Sequence, residues 1–181
     1  MHSDVQRILY SEQELSAITD SIAEKINKDY QGRQLVVVGI LKGSVVFLAD
    51  LFRKLTVDCT LDFMAASSYG SSAVSSGEVK ITKDILTNIQ NKDVLIIEDI
   101  LDTGNTLSYI KKYLGSFSPS SVKICTLFDK PCRRLKPITP DYYGAAIEDL
   151  FIVGYGLDYA EKYRNLPYVG VLKPETYNLT V

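Results

Sequence analysis

Two short apolar runs constrain the fold of this chain most. Leu35-Val36-Val37-Val38-Gly39-Ile40 and Val94-Leu95-Ile96-Ile97 contain no polar side chain. A strand with one wet face alternates polar and apolar residues, whereas an unbroken β-branched run marks a strand buried on both faces, as in a helix-covered parallel sheet. Each run is followed by a turn and a helical pattern. After the first come Leu41-Lys42-Gly43-Ser44 and an apolar helix over residues 45–55. After the second come residues 98–105 and an amphipathic helix over residues 106–117, with Leu107, Ile110, Tyr113, Leu114 and Phe117 inward. Upstream, Ser11-Glu12-Gln13-Glu14 has the capping-box pattern, and Leu15, Ile18, Ile22 and Ile26 follow at helical spacing, which predicts a helix from Glu12 to Asp29. Residues 57–66 alternate and read as a strand, and residues 122–128, 142–147, 150–153 and 168–172 supply more. Strands alternating with helices predict an α/β fold with a mostly parallel central sheet flanked by helices. With 181 residues and no repeat or linker, one domain is expected.

The bulk properties narrow the function by exclusion. The net charge of -2 gives no general attraction to nucleic acid or to an anionic membrane. The longest apolar run, Leu35–Leu41, is too short to span a bilayer. The start, Met1-His2-Ser3-Asp4, has no basic segment leading into an apolar stretch, so no secretion leader is expected. Cys59, Cys125 and Cys132 are odd in number and lack zinc or redox spacing, which fits reduced thiols in a cytoplasmic protein. His2 is the only histidine and lies in a terminus expected to be mobile. Acid–base chemistry therefore falls to carboxylates, lysines or tyrosines. Residues 67–77 are rich in serine, hold Gly70 and Gly77 and carry no hydrophobic period, so a loop is predicted there. A loop of that length inside a compact domain points to a lid or binding segment.

The most informative stretch runs from Asp93 to Leu107. A buried strand ends at Glu98-Asp99, a third carboxylate follows at Asp102, and Thr103-Gly104-Asn105-Thr106 leads into a helix. In open parallel sheets, ligands bind at the carboxyl ends of the strands. Backbone N–H groups of residues 103–106, unpaired at a helix start, suit a phosphate; Gly104 permits close approach, and the Thr103 and Thr106 hydroxyls add donors. Carboxylates repel phosphate but accept hydrogen bonds from a ribose diol, so the combination suits a phosphorylated ribose with a divalent cation nearby. It is neither a Walker loop nor a dinucleotide fingerprint, because Gly-Lys-Ser/Thr and Gly-x-Gly-x-x-Gly are both absent from it. A bland alternative is a helix merely capped by Asp102 or Thr103.

Residues 94–107 resemble the signature of the type I phosphoribosyltransferases, and from Leu41 to Arg164 the chain resembles the bacterial hypoxanthine(-guanine) branch of that family. The resemblance implies a small hood over the sheet and a flexible lid at about residues 67–80, opening with Ser68-Tyr69. It implies that Glu98 and Asp99 hold the ribose hydroxyls, that residues 103–106 bind the 5′-phosphate, and that Asp102 is the general base near purine N7. Asn105 stands where animal members tend to carry lysine. Leu41, Lys42 and Gly43 match the pyrophosphate-binding turn, whose Leu–Lys peptide can be cis, and Arg164 matches the pyrophosphate arginine. Lys130 matches the lysine that donates to purine O6, Phe151 the ring that stacks on the base, and Ile152 a backbone contact to it. Asp158 matches a ligand of magnesium, with Glu98 and Asp99 also placed at the metal.

The implied activity is magnesium-dependent purine salvage, using 5-phosphoribosyl 1-pyrophosphate and a 6-oxopurine, in a homo-oligomeric enzyme (dimer or tetramer) with no nucleic-acid or membrane partner. Two alternatives stay open. One is a family member acting on adenine, orotate, uracil or xanthine, against which Lys130 and Phe151-Ile152 weigh. The other is a ligand-sensing regulator on the same fold that binds RNA or DNA, although the chain has no appended winged helix and no basic footprint. A purely structural protein would leave Glu98, Asp99, Asp102 and Asp158 without a role.

Overall fold

The two apolar runs lie side by side as parallel strands in the middle of a six-stranded sheet. A computed structural model describes residues 1–68 and 79–177. In chain order the elements are β1 (Val5–Tyr10), α1 (Glu12–Asp29), β2 (Leu35–Leu41), α2 (Val45–Phe52), β3 (Cys59–Ser68), β4 (Val79–Lys83), β5 (Asp93–Leu101), α3 (Asn105–Gly115), β6 (Ser121–Asp129), β7 (Tyr142–Ala146), β8 (Ile152–Val153), β9 (Val169–Leu172) and α4 (Pro174–Tyr177). A single 3-10 turn, Pro131–Arg133, follows β6. The main sheet has the order β4-β3-β2-β5-β6-β7, parallel except for β4, which runs antiparallel to β3.

Burial on both faces explains the unbroken runs. Val37 of β2 and Leu95 and Ile97 of β5 pack on one side with Leu15, Ile22 and Ile26 of α1 and Phe47, Leu48 and Leu51 of α2. Val36, Val38 and Ile40 of β2 and Val94 and Ile96 of β5 pack on the other with Leu107, Ile110 and Leu114 of α3. Each such side chain taken fully out of water contributes about 1.5–3 kcal/mol, so a polar substitution in either run removes a large part of a domain's net stability. Helix α1 begins as its capping box requires: Ser11 N–H donates to Glu14 Oε2 at 2.8 Å, and Glu14 N–H donates to Ser11 Oγ at 3.3 Å.

Several elements differ from the sequence-based expectation. The N-terminus is not loose: Val5–Tyr10 pairs antiparallel with β9, and His2 N–H donates to the Tyr168 hydroxyl at 2.7 Å. With β8, these strands form a separate antiparallel sheet, β1-β9-β8, around Val5, Val153 and Leu172, which is the expected hood. The strand expected over residues 150–153 is only Ile152–Val153, because Leu150 and Phe151 precede the ladder. Strand β3 starts at Cys59 and continues to Ser68, where Ser67 and Ser68 pair with Lys80 and Val79 of the unanticipated β4. Strand pairing thus takes Ser67 and Ser68 at one end and residues 79–80 at the other end of the lid expected over about 67–80, and the lid reading of Tyr69 and the rest of 69–78 lies outside the described residues. Helix α2 stops at Phe52 and α3 at Gly115, so Phe117 is exposed and meets Tyr113 edge-on at a 5.1 Å centroid distance.

Candidate active site

Strand β5 carries the acidic residues further into the sheet than expected. Its ladder with β6 continues past Ile97, pairing Glu98 with Thr126, Ile100 with Phe128 and Leu101 with Asp129. Glu98 and Asp99 are therefore strand residues, and the turn proper begins at Asp102. Gly104 is the N-cap of α3 in the left-handed region (φ 83°), and no side chain caps the helix. That disposes of the bland alternative: neither Asp102 nor Thr103 serves as a cap, and the first amides of α3 remain available to an anion. The Thr103 hydroxyl accepts only a long 3.4 Å bond from Asn105 N–H.

Glu98 and Asp99 are electrostatically unsettled. Both keep partial surface exposure, yet protein surrounds them closely enough that lost hydration dominates their titration. Burial and the Asp99 charge push the Glu98 carboxyl well above the usual carboxylate range. Burial raises Asp99 to about 6 against the pull of its bond from Ile100 N–H and of Arg164. Glu98 Oε2 is buried without a hydrogen-bond partner among the described residues. A buried carboxylate oxygen without a donor is costly, and such atoms mark places where a ligand or cation completes the bonding.

A second turn lies against Asp99. The Leu41–Lys42 peptide is cis, and Gly43 follows it so tightly that a Cβ there would sit 1.7 Å from Asp99 Oδ2. Gly156 (φ 102°) closes the other side, where a Cβ would meet the Gly43 carbonyl oxygen at 2.1 Å. Lys42 Nζ pairs with Glu161 at 3.1 Å. Arg164 pairs with Asp158 at 2.9 Å and donates from Nη1 to the Gly156 carbonyl at 2.8 Å, while its buried Nε has no partner among the described residues. Asp158 also accepts from Glu161 N–H at 2.9 Å.

The third part is a cavity of about 470 Å³ lined by Ile100, Asp102, Lys130, Arg133, Asp149, Leu150, Phe151, Ile152, Leu157, Asp158 and Tyr177. It unites the acid of the β5 turn with every residue that the resemblance assigned to a base. Lys130 is 6% exposed, with Nζ donating to the Leu150 carbonyl at 2.9 Å and lying 3.6 Å from Asp149. Phe151 stacks one face on Tyr177 (4.7 Å, 18°) and meets Tyr159 edge-on. Asp102 Oδ1 is buried and lies 3.5 Å from Arg133 Nε. Arg133, Asp149 and Tyr177 of this lining were not anticipated; for Arg133 the sequence signal was the cluster Lys130-Pro131-Cys132-Arg133-Arg134 just after β6.

Residues 5–160 match the family model of the phosphoribosyl transferase domain. The chain belongs to the phosphoribosyltransferase family. It is 51% identical over 178 residues to a hypoxanthine-guanine phosphoribosyltransferase of Staphylococcus aureus, covering 98% of this chain and 99% of that one. It is 49% identical to a bifunctional protein TilS/HprT of Listeria innocua, of whose length it spans 28%. A crystal structure of a hypoxanthine phosphoribosyltransferase from Staphylococcus aureus superposes with a TM-score of 0.94, at 51% identity over 98% of this chain and 96% of that one. The architecture is thus the type I phosphoribosyltransferase fold.

In this phosphoribosyltransferase the carboxylates would suit a divalent cation that takes few protein ligands. Among the described residues no group of three His, Cys, Asp or Glu side chains could hold a metal. Magnesium needs no such cage, since it keeps several waters and takes one or two carboxylates with substrate oxygens. The unpartnered Glu98 oxygen and the raised pair Glu98–Asp99, with Asp158 acting on Asp99, supply hard oxygen donors whose charge a cation would relieve. No described helix is long and apolar enough to cross a membrane.

Proposed function

We propose that this chain transfers 5-phosphoribosyl from its 1-pyrophosphate to N9 of hypoxanthine or guanine. One observation carries the reading: Asp102 of the β5 turn lines the same cavity as Lys130, Phe151, Ile152 and Asp158. A sugar phosphate seated on the turn and a purine in the cavity then meet at the sugar's C1. Lys130 Nζ spends one donor on Leu150 and retains others for purine O6. A 6-amino group offers a donor there instead, which disfavours adenine. Phe151 gives the base the face that Tyr177 leaves open.

In the proposed step the bond from C1 to pyrophosphate breaks with its electron pair leaving on oxygen. The N9 lone pair forms the new C1–N9 bond, and the N7 proton passes to the Asp102 carboxylate. Glu98 and Asp99 accept from the ribose hydroxyls, and the amides of residues 103–106 hold the 5′-phosphate. Lys42 and Arg164 stabilise the charge that grows on the departing pyrophosphate, an electrostatic contribution to the barrier. Magnesium, held by Asp158 with Glu98 and Asp99, would supply further positive charge at the same oxygens. A cytoplasmic, homo-oligomeric enzyme is the setting this reading implies.

The test is turnover with each free base, with and without magnesium. Formation of inosine and guanosine monophosphates that depends on the metal is expected. Turnover of adenine with both 6-oxopurines inert would overturn the assignment.

A further inference from the structure

Arg134 has no part in the proposed step, yet its guanidinium reaches two backbone carbonyls where β5 enters its turn. Its side chain is 14% exposed. Nε donates to the Asp102 carbonyl at 2.9 Å, and Nη2 donates to the Leu101 carbonyl at 3.2 Å. Nη1 donates to the Ile138 carbonyl, and Nη2 also donates to the Asp129 carboxylate at the end of β6. The neighbouring residues extend the pattern: the amides of Leu135 and Lys136 donate to the Thr103 carbonyl at 2.9 and 3.2 Å. Three consecutive carbonyls, that of Leu101 at the end of β5 (which also accepts from Lys130 N–H at 3.0 Å) and those of Asp102 and Thr103 in the turn, are thus all drawn towards one short segment. Gly104 packs on the same segment, since a Cβ there would lie 2.6 Å from Ile138 Cγ2 and 3.2 Å from Arg134 Cδ.

In a trans peptide plane the N–H points away from the C=O. Carbonyls held towards Arg134 and its neighbours therefore direct the amides of Asp102, Thr103 and Gly104 to the opposite side. Successive N–H groups facing one way make a concave anion site. We propose that Arg134 is a positioning residue: by holding the Leu101 and Asp102 carbonyls it presents the turn's amides to the sugar 5′-phosphate. It acts from behind the turn, as a fork with donors spaced to reach separate carbonyls. Lysine keeps the charge opposite Asp129 but concentrates its donors on one atom. The inference rests on the phosphoribosyl-transfer reading above.

The experiment compares the full-length wild-type chain with Arg134→Lys, measuring ribose 5-phosphate and inorganic pyrophosphate binding by calorimetry and KM for both substrates. Ribose 5-phosphate binding should weaken at least about tenfold and KM for 5-phosphoribosyl 1-pyrophosphate should rise in step. Pyrophosphate binding should stay within about twofold, because Lys42 and Arg164 are untouched. General loosening of the fold would weaken both ligands together, and that result, or no change in either, overturns the role. Asp129→Asn keeps the side-chain shape and removes the guanidinium's charged partner. It should show the same selective loss at about two- to fivefold, and it decides the matter alone if Arg134→Lys does not fold; an unchanged ribose 5-phosphate affinity in it then counts against the role. Failure of the wild type to bind ribose 5-phosphate or to turn over would instead bring down the reading beneath.

Discussion

The two turns proposed to receive anions in this molecule are made from opposite materials. The β5 turn, residues 102–106, offers backbone amides and two threonine hydroxyls, and it is braced from behind by Arg134 and the amides of Leu135 and Lys136. The turn at Leu41-Lys42-Gly43 works with side-chain cations instead, and those are already engaged: Lys42 by Glu161, Arg164 by Asp158 and Glu161. A neutral cradle can be complete before its ligand arrives. A cationic one needs placeholder acids, and its ligand must displace them. The division suits the proposed chemistry, in which the 5′-phosphate stays bound throughout while pyrophosphate departs.

The largest expected effect tests whether the braced turn performs chemistry besides binding. Asp102→Asn keeps the shape of the side chain and removes its capacity to take a proton. Turnover should fall by about two to four orders of magnitude, with donor KM little changed, in a steady-state assay. Near wild-type turnover would reduce the turn to a binding element. Next comes Gly43→Ala. Its new methyl would stand 1.7 Å from Asp99 Oδ2, so the carboxylate must move. Displacement of a substrate-holding group by about 1 Å costs on the order of a hundredfold, to be read in kcat/KM. In Gly104→Ala the Cβ meets Ile138 instead and the backbone is left-handed, so the loss should appear in melting temperature as well as in ribose 5-phosphate affinity.

Legibility in the sequence divides along the same line. The β5 strand, its carboxylates and Gly104 were readable because local pattern and backbone need coincide there. The bracing was not. Arg134 acts on carbonyls 32 and 33 positions away, and a carbonyl carries no mark in the sequence. Strand β1 escaped notice for a related reason: Val5-Gln6-Arg7-Ile8-Leu9-Tyr10 has a weak alternation, and its partner β9 lies at the other end of the chain. Lys130 and Phe151 were found only by resemblance, since a lone lysine or phenylalanine is ordinarily surface or core. Lys130 is in fact buried, which an ordinary surface lysine is not.

The acids between the turns give a pH test. Asp99 is raised from 3.8 to about 6 in the folded chain by burial. A carboxyl raised on folding binds its proton more tightly in the native state, so it stabilises the ligand-free protein below the unfolded value and that contribution fades as pH rises through the folded one. Glu98, shifted in the same direction, adds to the fall. The melting temperature of the free protein should therefore decline between about pH 4 and pH 6 through Asp99, and Asp99→Asn should flatten the profile there. Magnesium with pyrophosphate should restore most of the loss near neutral pH if the cation sits at these carboxylates.

The smallest effect belongs to the placeholder acids. Lys42 and Glu161 are both about two-thirds exposed, 67% and 65%, so their ion pair is well screened and weak. Glu161→Gln removes the acid that pyrophosphate must displace and leaves Lys42, Arg164 and Asp158 in place. Inorganic pyrophosphate should then bind about two- to fivefold more tightly at low salt, with the gain shrinking as ionic strength rises. Ribose 5-phosphate should be indifferent, since no placeholder acid guards the amides that receive it. A gain shared equally by both ligands would mean that Glu161 acts through the general field of the site, and the contrast between a braced neutral turn and a guarded cationic one would dissolve.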